Sequence, residues 1–301
     1  MGGDALRIAT RESPLALWQA RHVADRLRAV HSQRQVELVP MTTEGDRRTD
    51  VPLSELGGKG VFAKEVQRAV LDGRADLAVH SAKDLPALTP EGLVIAAAPP
   101  RGDVRDALVG RGLADLPTGA VVATGSQRRR VQLAHLRGDL RFVELRGNMA
   151  TRLARVGEVD AIVVAVAALE RLGLADRITE HLDASVMVPQ VGQGALAVEC
   201  RADDHDTIAL LAAIDDADTR VQLTAERSFL VELGGDCSLP AGAHAWLDGS
   251  DVVLRAVLAP ADWPTHPTPV CHVELRGDDP VELGVQAAVA LRAAVESVES
   301  P

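Results

Sequence analysis

Long apolar runs are missing from this sequence of 301 residues. Nowhere do eighteen apolar side chains follow one another, so the pattern of a membrane-spanning helix is excluded. Cysteine is scarce: Cys200, Cys237 and Cys271 are odd in number and widely spaced, which indicates neither a disulfide framework nor a CxxC-type zinc site, and no metal is expected. Lysine is scarce as well, with Lys59, Lys64 and Lys83 the only lysines among 32 basic side chains. With abundant Ala, Val, Gly and Asp, that reads as a bias of the whole composition, so arginine in place of lysine says little at any one position. Nucleotide-binding signatures are also lacking. Gly57-Gly58-Lys59-Gly60 and Val191-Gly192-Gln193-Gly194 fit neither GxxxxGK[ST] nor GxGxxG.

What is present is enough apolar material, 47 % of residues, for a buried core in each of two or three domains. The N-terminus MGGDALRIAT runs straight into a strand-like segment, and the expectation is a cytoplasmic protein. A formal charge of −11 opposes general nucleic-acid binding, which needs a basic face. The arginines nevertheless cluster. Between Ser126 and Arg155 lie eight (Arg128, Arg129, Arg130, Arg137, Arg141, Arg146, Arg152 and Arg155) against only Asp139 and Glu144, which implies a local anion site inside an acidic protein.

Apolar strand-like runs at residues 6–10, 36–41, 76–80, 121–124, 142–145, 160–166 and 196–199 alternate with helix-period segments. The class is α/β, with sheets covered on both faces. Pro99-Pro100-Arg101-Gly102 marks a crossing into a second domain and residues 189–194 a second passage, after which 196–200 can return to the first sheet. The expected domains are 1–98 with 196–215, then 99–195, then a C-terminal α+β unit at 217–301. That last unit shows a helical stretch at 219–233, alternating segments at 241–247, 251–258 and 270–275, and a closing helix at 281–298.

The polar and glycine residues gather in the loops after strands, where open α/β sheets bind ligands. Ser13 followed by Pro14 predicts a helix start that can present Ser13 and its first amides to an anion, with Arg11 beside them. Ser126 repeats the arrangement ahead of Arg128-Arg129-Arg130. Successive helical residues diverge by about 100°, so not all three arginines can face one ligand and at least one is expected on the solvated surface. Arg146 follows a strand and Arg152 lies on the next helix. Lys83-Asp84, at another strand end, reads either as a surface ion pair or as a carboxylate facing a cation formed in a reaction. Gly234-Gly235-Asp236-Cys237 puts a cysteine on a glycine-flanked loop where its sulfur can approach a ligand closely.

In order along the chain, RIATRESPLALWQA, ELVPMTTEGD, GGKGVFAKE, ADLAVHSAKDLP, TGSQRRR, LRGNMATRL, AVAALERLGL, VPQVGQGALAVECR and TAERSFLVELGGDCSLPAG resemble porphobilinogen deaminase, also called hydroxymethylbilane synthase, over nearly the whole length. The resemblance implies two domains like periplasmic binding proteins and a smaller α+β domain bearing the cofactor cysteine. It implies a dipyrromethane cofactor held by Cys237 through a thioether, and Asp84 as the catalytic carboxylate that assists loss of ammonia from porphobilinogen and stabilises the resulting azafulvene cation. Arg11, Ser13, Lys83, Ser126, Arg128, Arg129, Arg146, Arg152 and Arg171 fall on positions similar to the family's carboxylate-binding residues. Four condensations and a hydrolysis would release hydroxymethylbilane, with domain movement shifting the growing chain past Asp84. Each added unit brings an acetate and a propionate, hence the need for arginines. The implied partner is porphobilinogen alone, with no nucleic acid and no membrane, and the implied state is a monomer.

The sequence departs from the family pattern at Gly125, where many relatives carry serine, and at Asp236, where the usual residue is small. The first removes a hydroxyl donor; the second sets a carboxylate beside the cofactor thiol. Two other functions fit parts of the pattern: a non-catalytic binding protein for a carboxylated small molecule, and a hydrolase using Cys237 with His80 or His244 as base.

Overall fold

The computed structural model describes residues 5–43, 63–234, 239–260, 263 and 270–299. Two compact units divide the chain: residues 1–102 with 195–220, and residues 103–194 with 221–301. The class is α/β, with a small sheet-and-helix module at the C-terminus.

In the first unit the strands are β1 (Leu6–Arg11), β2 (Val36–Met41), β3 (Leu77–Ser81), β4 (Leu93–Ala97) and β10 (Leu196–Arg201), in the order β2-β1-β3-β10-β4. β1 runs parallel to β2 and β3, whereas β10 lies antiparallel to both β3 and β4. Strand alternation feeds two cores. Leu6 and Ile8, with Leu77 and Val79, face helix α1 (Pro14–Val30) through Ala20, Val23, Ala24 and Leu27. Ala9 and Ala78 point the other way, onto Val66, Ala69 and Val70 of α2 (Lys64–Leu71).

The second unit holds β5 (Asp106–Gly110), β6 (Val121–Ala123), β7 (Arg141–Val143), β8 (Ala161–Ala165) and β9 (Glu180–Leu182), ordered β7-β6-β8-β5-β9. Here β6 is parallel to β7 and β8, and β5 is antiparallel to β8 and β9. Leu133 of α3 (Gln127–Leu136) covers one face with Leu108, Val122 and Val163. Leu153 of α4 (Met149–Leu153) and Leu169 of α5 (Val166–Arg171) cover the other.

After α6 (His205–Ala212), helix α7 (Ala217–Glu232) carries the chain from the first unit into the second. The C-terminal module is an antiparallel meander, β11 (Ala241–Asp248), β12 (Asp251–Leu258) and β13 (Cys271–Gly277), closed by α8 (Pro280–Glu299). Gly284 of α8 meets α7 so closely that a Cβ there would collide with the Ala225 carbonyl and the Phe229 amide. Val257 and Ala259 share a core with Val131 of α3 and Val188, which joins this module to the second sheet.

The strand-like runs at 6–10, 36–41, 76–80, 121–124, 142–145, 160–166 and 196–199 all correspond to strands, with shifted ends. Three strands went unforeseen: β4, β5 and β9. β5 buries only a short apolar stretch, Ala107–Val109, between glycine-rich segments, and β9 is a three-residue edge with two polar members. Among the described residues no helix is long and apolar enough to cross a membrane.

Candidate functional site

In the first unit the candidate residues lie at the carboxyl ends of the neighbouring parallel strands β1 and β3. Arg11 closes β1 and is half-buried. Ser13 caps α1, its Oγ accepting the Ala16 amide at 3.3 Å, and Pro14 opens the helix where its missing N–H costs nothing. Two hydrogen bonds fix this corner: Thr10 Oγ1 donates to the Ala16 carbonyl at 3.2 Å, and buried Gln19 donates from Nε2 to Ser81 Oγ at 2.7 Å. Lys83 and Asp84 form a single 3-10 turn with Ala82, directly after β3. Ala82 is buried and its amide donates to the Ala195 carbonyl, which holds the turn against the residue that leads into β10. Asp84 is half-buried, and among the described residues its carboxylate has no hydrogen-bond or ion-pair partner.

His80 is not available as a base in the way the hydrolase reading requires. Its imidazole is buried, with Nε2 3.2 Å from Oε2 of fully buried Glu199, an oxygen that also accepts from Gln67 Nε2 at 2.9 Å.

In the second unit the candidates gather at the ends of β6 and β7. Ser126 caps α3 by accepting the Arg129 amide at 3.4 Å, and its own amide donates to Thr124 Oγ1 at 3.3 Å. Arg128 and Arg129 turn inward. Both are buried, and both donate to fully buried Asp106, from Arg128 Nη2 to Oδ2 at 2.7 Å and from Arg129 Nη2 and Nε to Oδ1 at 2.7 and 3.0 Å. Their remaining bonds go to the carbonyls of Val188 and Val163 at 2.6 and 2.9 Å. Burial pushes the Asp106 carboxyl up, but the two guanidinium groups outweigh it and hold the group well below the usual carboxylate range. Burial likewise pushes the Arg128 guanidinium down.

Arg130 corrects the expectation of a merely solvated third arginine. It donates to the Thr124 carbonyl at 2.8 and 3.0 Å and to Glu144 Oε2 at 2.7 Å. The same Glu144 lies over Gly125, its Oε1 2.6 Å from where a Cβ at position 125 would sit. The space of the missing serine side chain is filled by a carboxylate.

Arg146 follows β7, and its Nη1 is buried without an acceptor among the described residues. Gly147 then turns with φ +95° while Thr151 packs 2.8 Å from its would-be Cβ, a position that admits only glycine. Arg152 bonds the Gly147 carbonyl from Nε at 2.9 Å. Arg171, at the end of α5, donates from Nη2 to the Gly194 carbonyl at 2.5 Å, and burial pushes its guanidinium down to about 10. It therefore engages the 189–194 passage, apart from the β6 and β7 loops.

Cys237, Asp236 and Gly57 to Gly60 lie outside the described residues. Of the two other cysteines, Cys200 is fully buried and its thiol is pushed up to about 11 by burial, and burial also raises the thiol of Cys271. Among the described residues no group of three His, Cys, Asp or Glu side chains could hold a metal ion. Sequence reasoning missed Asp106, Gln193, Glu144 and Glu199. The only signal for Asp106 was an acidic residue opening a short apolar run.

Comparison with known proteins identifies the family. The family model "Porphobilinogen deaminase, dipyromethane cofactor binding domain" matches residues 6–209, and "Porphobilinogen deaminase, C-terminal domain" matches residues 220–293. The porphobilinogen deaminase of Syntrophotalea carbinolica is 49 % identical over 267 residues, 87 % of this chain and 85 % of that one. That of Acidithiobacillus ferrooxidans is 49 % identical over 302 residues, 98 % and 97 % of the two chains. Among solved structures, the chain is similar to a methionine binding protein (14 % identity, TM-score 0.45, 81 % of this chain and 99 % of that one). It is also similar to the periplasmic aliphatic sulphonate binding protein of Escherichia coli (17 % identity, TM-score 0.43, 97 % and 88 %).

Proposed function

Because the chain belongs to the porphobilinogen deaminase family, we propose that Asp84 is its catalytic carboxylate and Cys237 the point of attachment of its dipyrromethane cofactor. The activity is that of a transferase, hydroxymethylbilane synthase. Four porphobilinogen molecules are joined head to tail with loss of ammonia on a covalently held primer, and hydrolysis then releases the product.

A dipyrromethane carries acetate and propionate groups, and the donors present suit them. The observation that carries the reading is the buried Nη1 of Arg146, a guanidinium N–H with no acceptor among the described residues, two residues before the Asn148 cap of α4. Such a donor is satisfied by an incoming carboxylate, a charge-assisted bond of about 1.5–3 kcal/mol. Arg11, Ser13, Lys83, Ser126, Arg128, Arg129, Arg146 and Arg152 are the residues we read as holding carboxylates. Arg171, with one Nη2 hydrogen given to Gly194, completes the set. When bound, the cofactor supplies the terminal pyrrole to which the first substrate unit is joined. Asp84 provides negative charge where ammonia departs. At about 4 Å and an effective dielectric near 20, that charge stabilises a developing cation by roughly 4 kcal/mol.

The module at 217–301 carries Cys237, and we read it as a domain distinct from the α/β domains at 1–98 with 196–215 and at 99–195. A net charge of −11 keeps copies apart and repels phosphate backbones, in keeping with a cytoplasmic monomer that binds no nucleic acid.

Intact mass before and after incubation with porphobilinogen tests the assignment. The expected result is a dipyrromethane adduct mapped to Cys237, absent in Cys237→Ser, with pyrrole increments appearing on substrate addition. An unmodified Cys237 under both conditions would leave only a carboxylate-binding protein.

A further inference from the structure

Asp106 opens β5 and is fully buried, and it gathers three donors from separate parts of the second unit. Arg128 and Arg129 come from α3, and Gln193 from the 189–194 passage donates from Nε2 to Oδ1 at 2.9 Å. Gln193 also bonds the Val104 carbonyl at 2.8 Å, so the two segments that lead into and out of this unit are fastened at the same carboxylate.

The charges in this cluster do not cancel. Two guanidinium groups meet one carboxylate, and neither arginine has a second carboxylate partner among the described residues. Arg128 Nε is buried with no acceptor. A buried charge without its counter-ion is costly, and here the surplus lies beneath the start of α3, where the unpaired amides and the helix dipole favour a negative group. Its location is set tightly. The Cδ of Arg128 lies 2.9 Å from the would-be Cβ of Gly242, on the strand that follows Cys237, and the carbonyls of Pro189 and Val188 crowd the same spot at 2.7 and 2.9 Å. Only glycine at 242 leaves Arg128 its path.

We propose that Asp106 is a positioning residue for carboxylate recognition: it folds Arg128 and Arg129 under the α3 start and leaves one surplus positive charge there for a ligand carboxylate to neutralise. This rests on the reading of that helix start as a carboxylate site. Asp106 does not touch the ligand. It acts by keeping two like-charged groups together in the place where their joint field is felt, and by tying that place to Gln193.

The full-length chain carrying Asp106→Ala tests this, with and without sodium formate, an anion small enough to fill the vacated carboxylate position. The expected result is a KM for porphobilinogen raised tenfold or more with kcat changed less than threefold. Formate at millimolar concentration should lower KM severalfold and raise the melting temperature of the variant but not of the unsubstituted protein. A lowered melting temperature with unchanged KM, or a KM defect that formate leaves untouched, would overturn the proposal.

If Asp106→Ala does not fold, Gln193→Leu keeps both arginine bonds and removes only the third donor. A KM raised about threefold at constant kcat is expected, and an unchanged KM would count against the coupling. Failure of the underlying reading looks different: the unsubstituted protein would carry no pyrrole adduct and turn over no porphobilinogen.

Discussion

The two five-stranded sheets share one plan and differ in one charge. In each, the fourth strand in the row is antiparallel and arrives from across a passage in the chain, β10 in the first and β5 in the second. Each of these strands carries a fully buried carboxylate, Glu199 and Asp106. Asp106 is over-compensated by two arginines. Glu199 has only Gln67 and His80 on Oε2, and its Oε1 is buried with no partner among the described residues. The two carboxylates sit at different levels of their sheets: Asp106 opens β5 opposite Ala165, at the carboxyl end of β8, whereas Glu199 lies within β10 opposite Ala78, away from the Ser81 end of β3 that leads into Asp84. The positive surplus thus belongs to the second sheet, while the turn that carries Asp84 follows β3 of the first.

The largest expected effect that would break this comparison is on Asp106. Asp106→Asn leaves two buried guanidinium groups without their counter-ion, and urea unfolding should register a loss of about 3–5 kcal/mol. The sign with pH follows from the depressed carboxyl. Its folded value lies below its unfolded one, so its contribution is complete above about pH 4 and is lost as pH falls further. The stability of Asp106→Asn should therefore fall less steeply in acid than that of the unsubstituted protein.

Next in size is Cys200, which neighbours Glu199 on β10. Its thiol is raised from 9.0 to about 11 by burial. A raised value in the folded state means stability is intact below pH 9 and declines as pH climbs toward 11, by about 2 kcal/mol. Cys200→Ala should flatten that alkaline decline in a pH series of melting curves.

Glu199→Gln should cost no more than about 1 kcal/mol, because it removes a charge that is only half satisfied while keeping a hydrogen-bonding amide. A loss as large as that of Asp106→Asn would mean that both carboxylates are equally committed, and the contrast between the sheets would fail. Smallest is Gly125→Ser. Glu144 is exposed and can swing away from the new side chain, so stability should stay within about 0.5 kcal/mol, and KM for porphobilinogen should hold or fall as a hydroxyl donor is added.

Much of the first unit could be read from residue order. Polar clusters after apolar runs located Arg11, Ser13, Lys83 and Asp84 at strand ends, and Ser-Pro identified a helix cap that the backbone adopts. The same logic located Ser126 and Arg146. What it could not deliver was strand direction, since period-two alternation is identical for parallel and antiparallel strands. β5 was missed for a separate reason, its apolar stretch being only Ala107–Val109, and with it the burial of Asp106. Without that carboxylate, the three consecutive arginines read as anion-binding donors with at least one on the solvated surface, although two of them are buried on Asp106 and the third is tied to Glu144. Helical divergence correctly forbade all three from sharing a partner, but it could not foresee that adjacent Arg128 and Arg129 would take opposite oxygens of one carboxylate.

The position of β10 has a consequence for biosynthesis on the ribosome. β3 and β4 have no pairing with each other except through β10, which begins at Leu196. A nascent chain that has emerged only as far as residue 102 holds two strands with bare hydrogen-bonding edges and cannot close its sheet until nearly a hundred further residues have followed. The later-made unit has no such wait, because β5 precedes every other strand of its sheet. The order of completion during synthesis is therefore the reverse of the order of translation: the second sheet closes first, and the strand that finishes the first sheet must insert between β3 and β4.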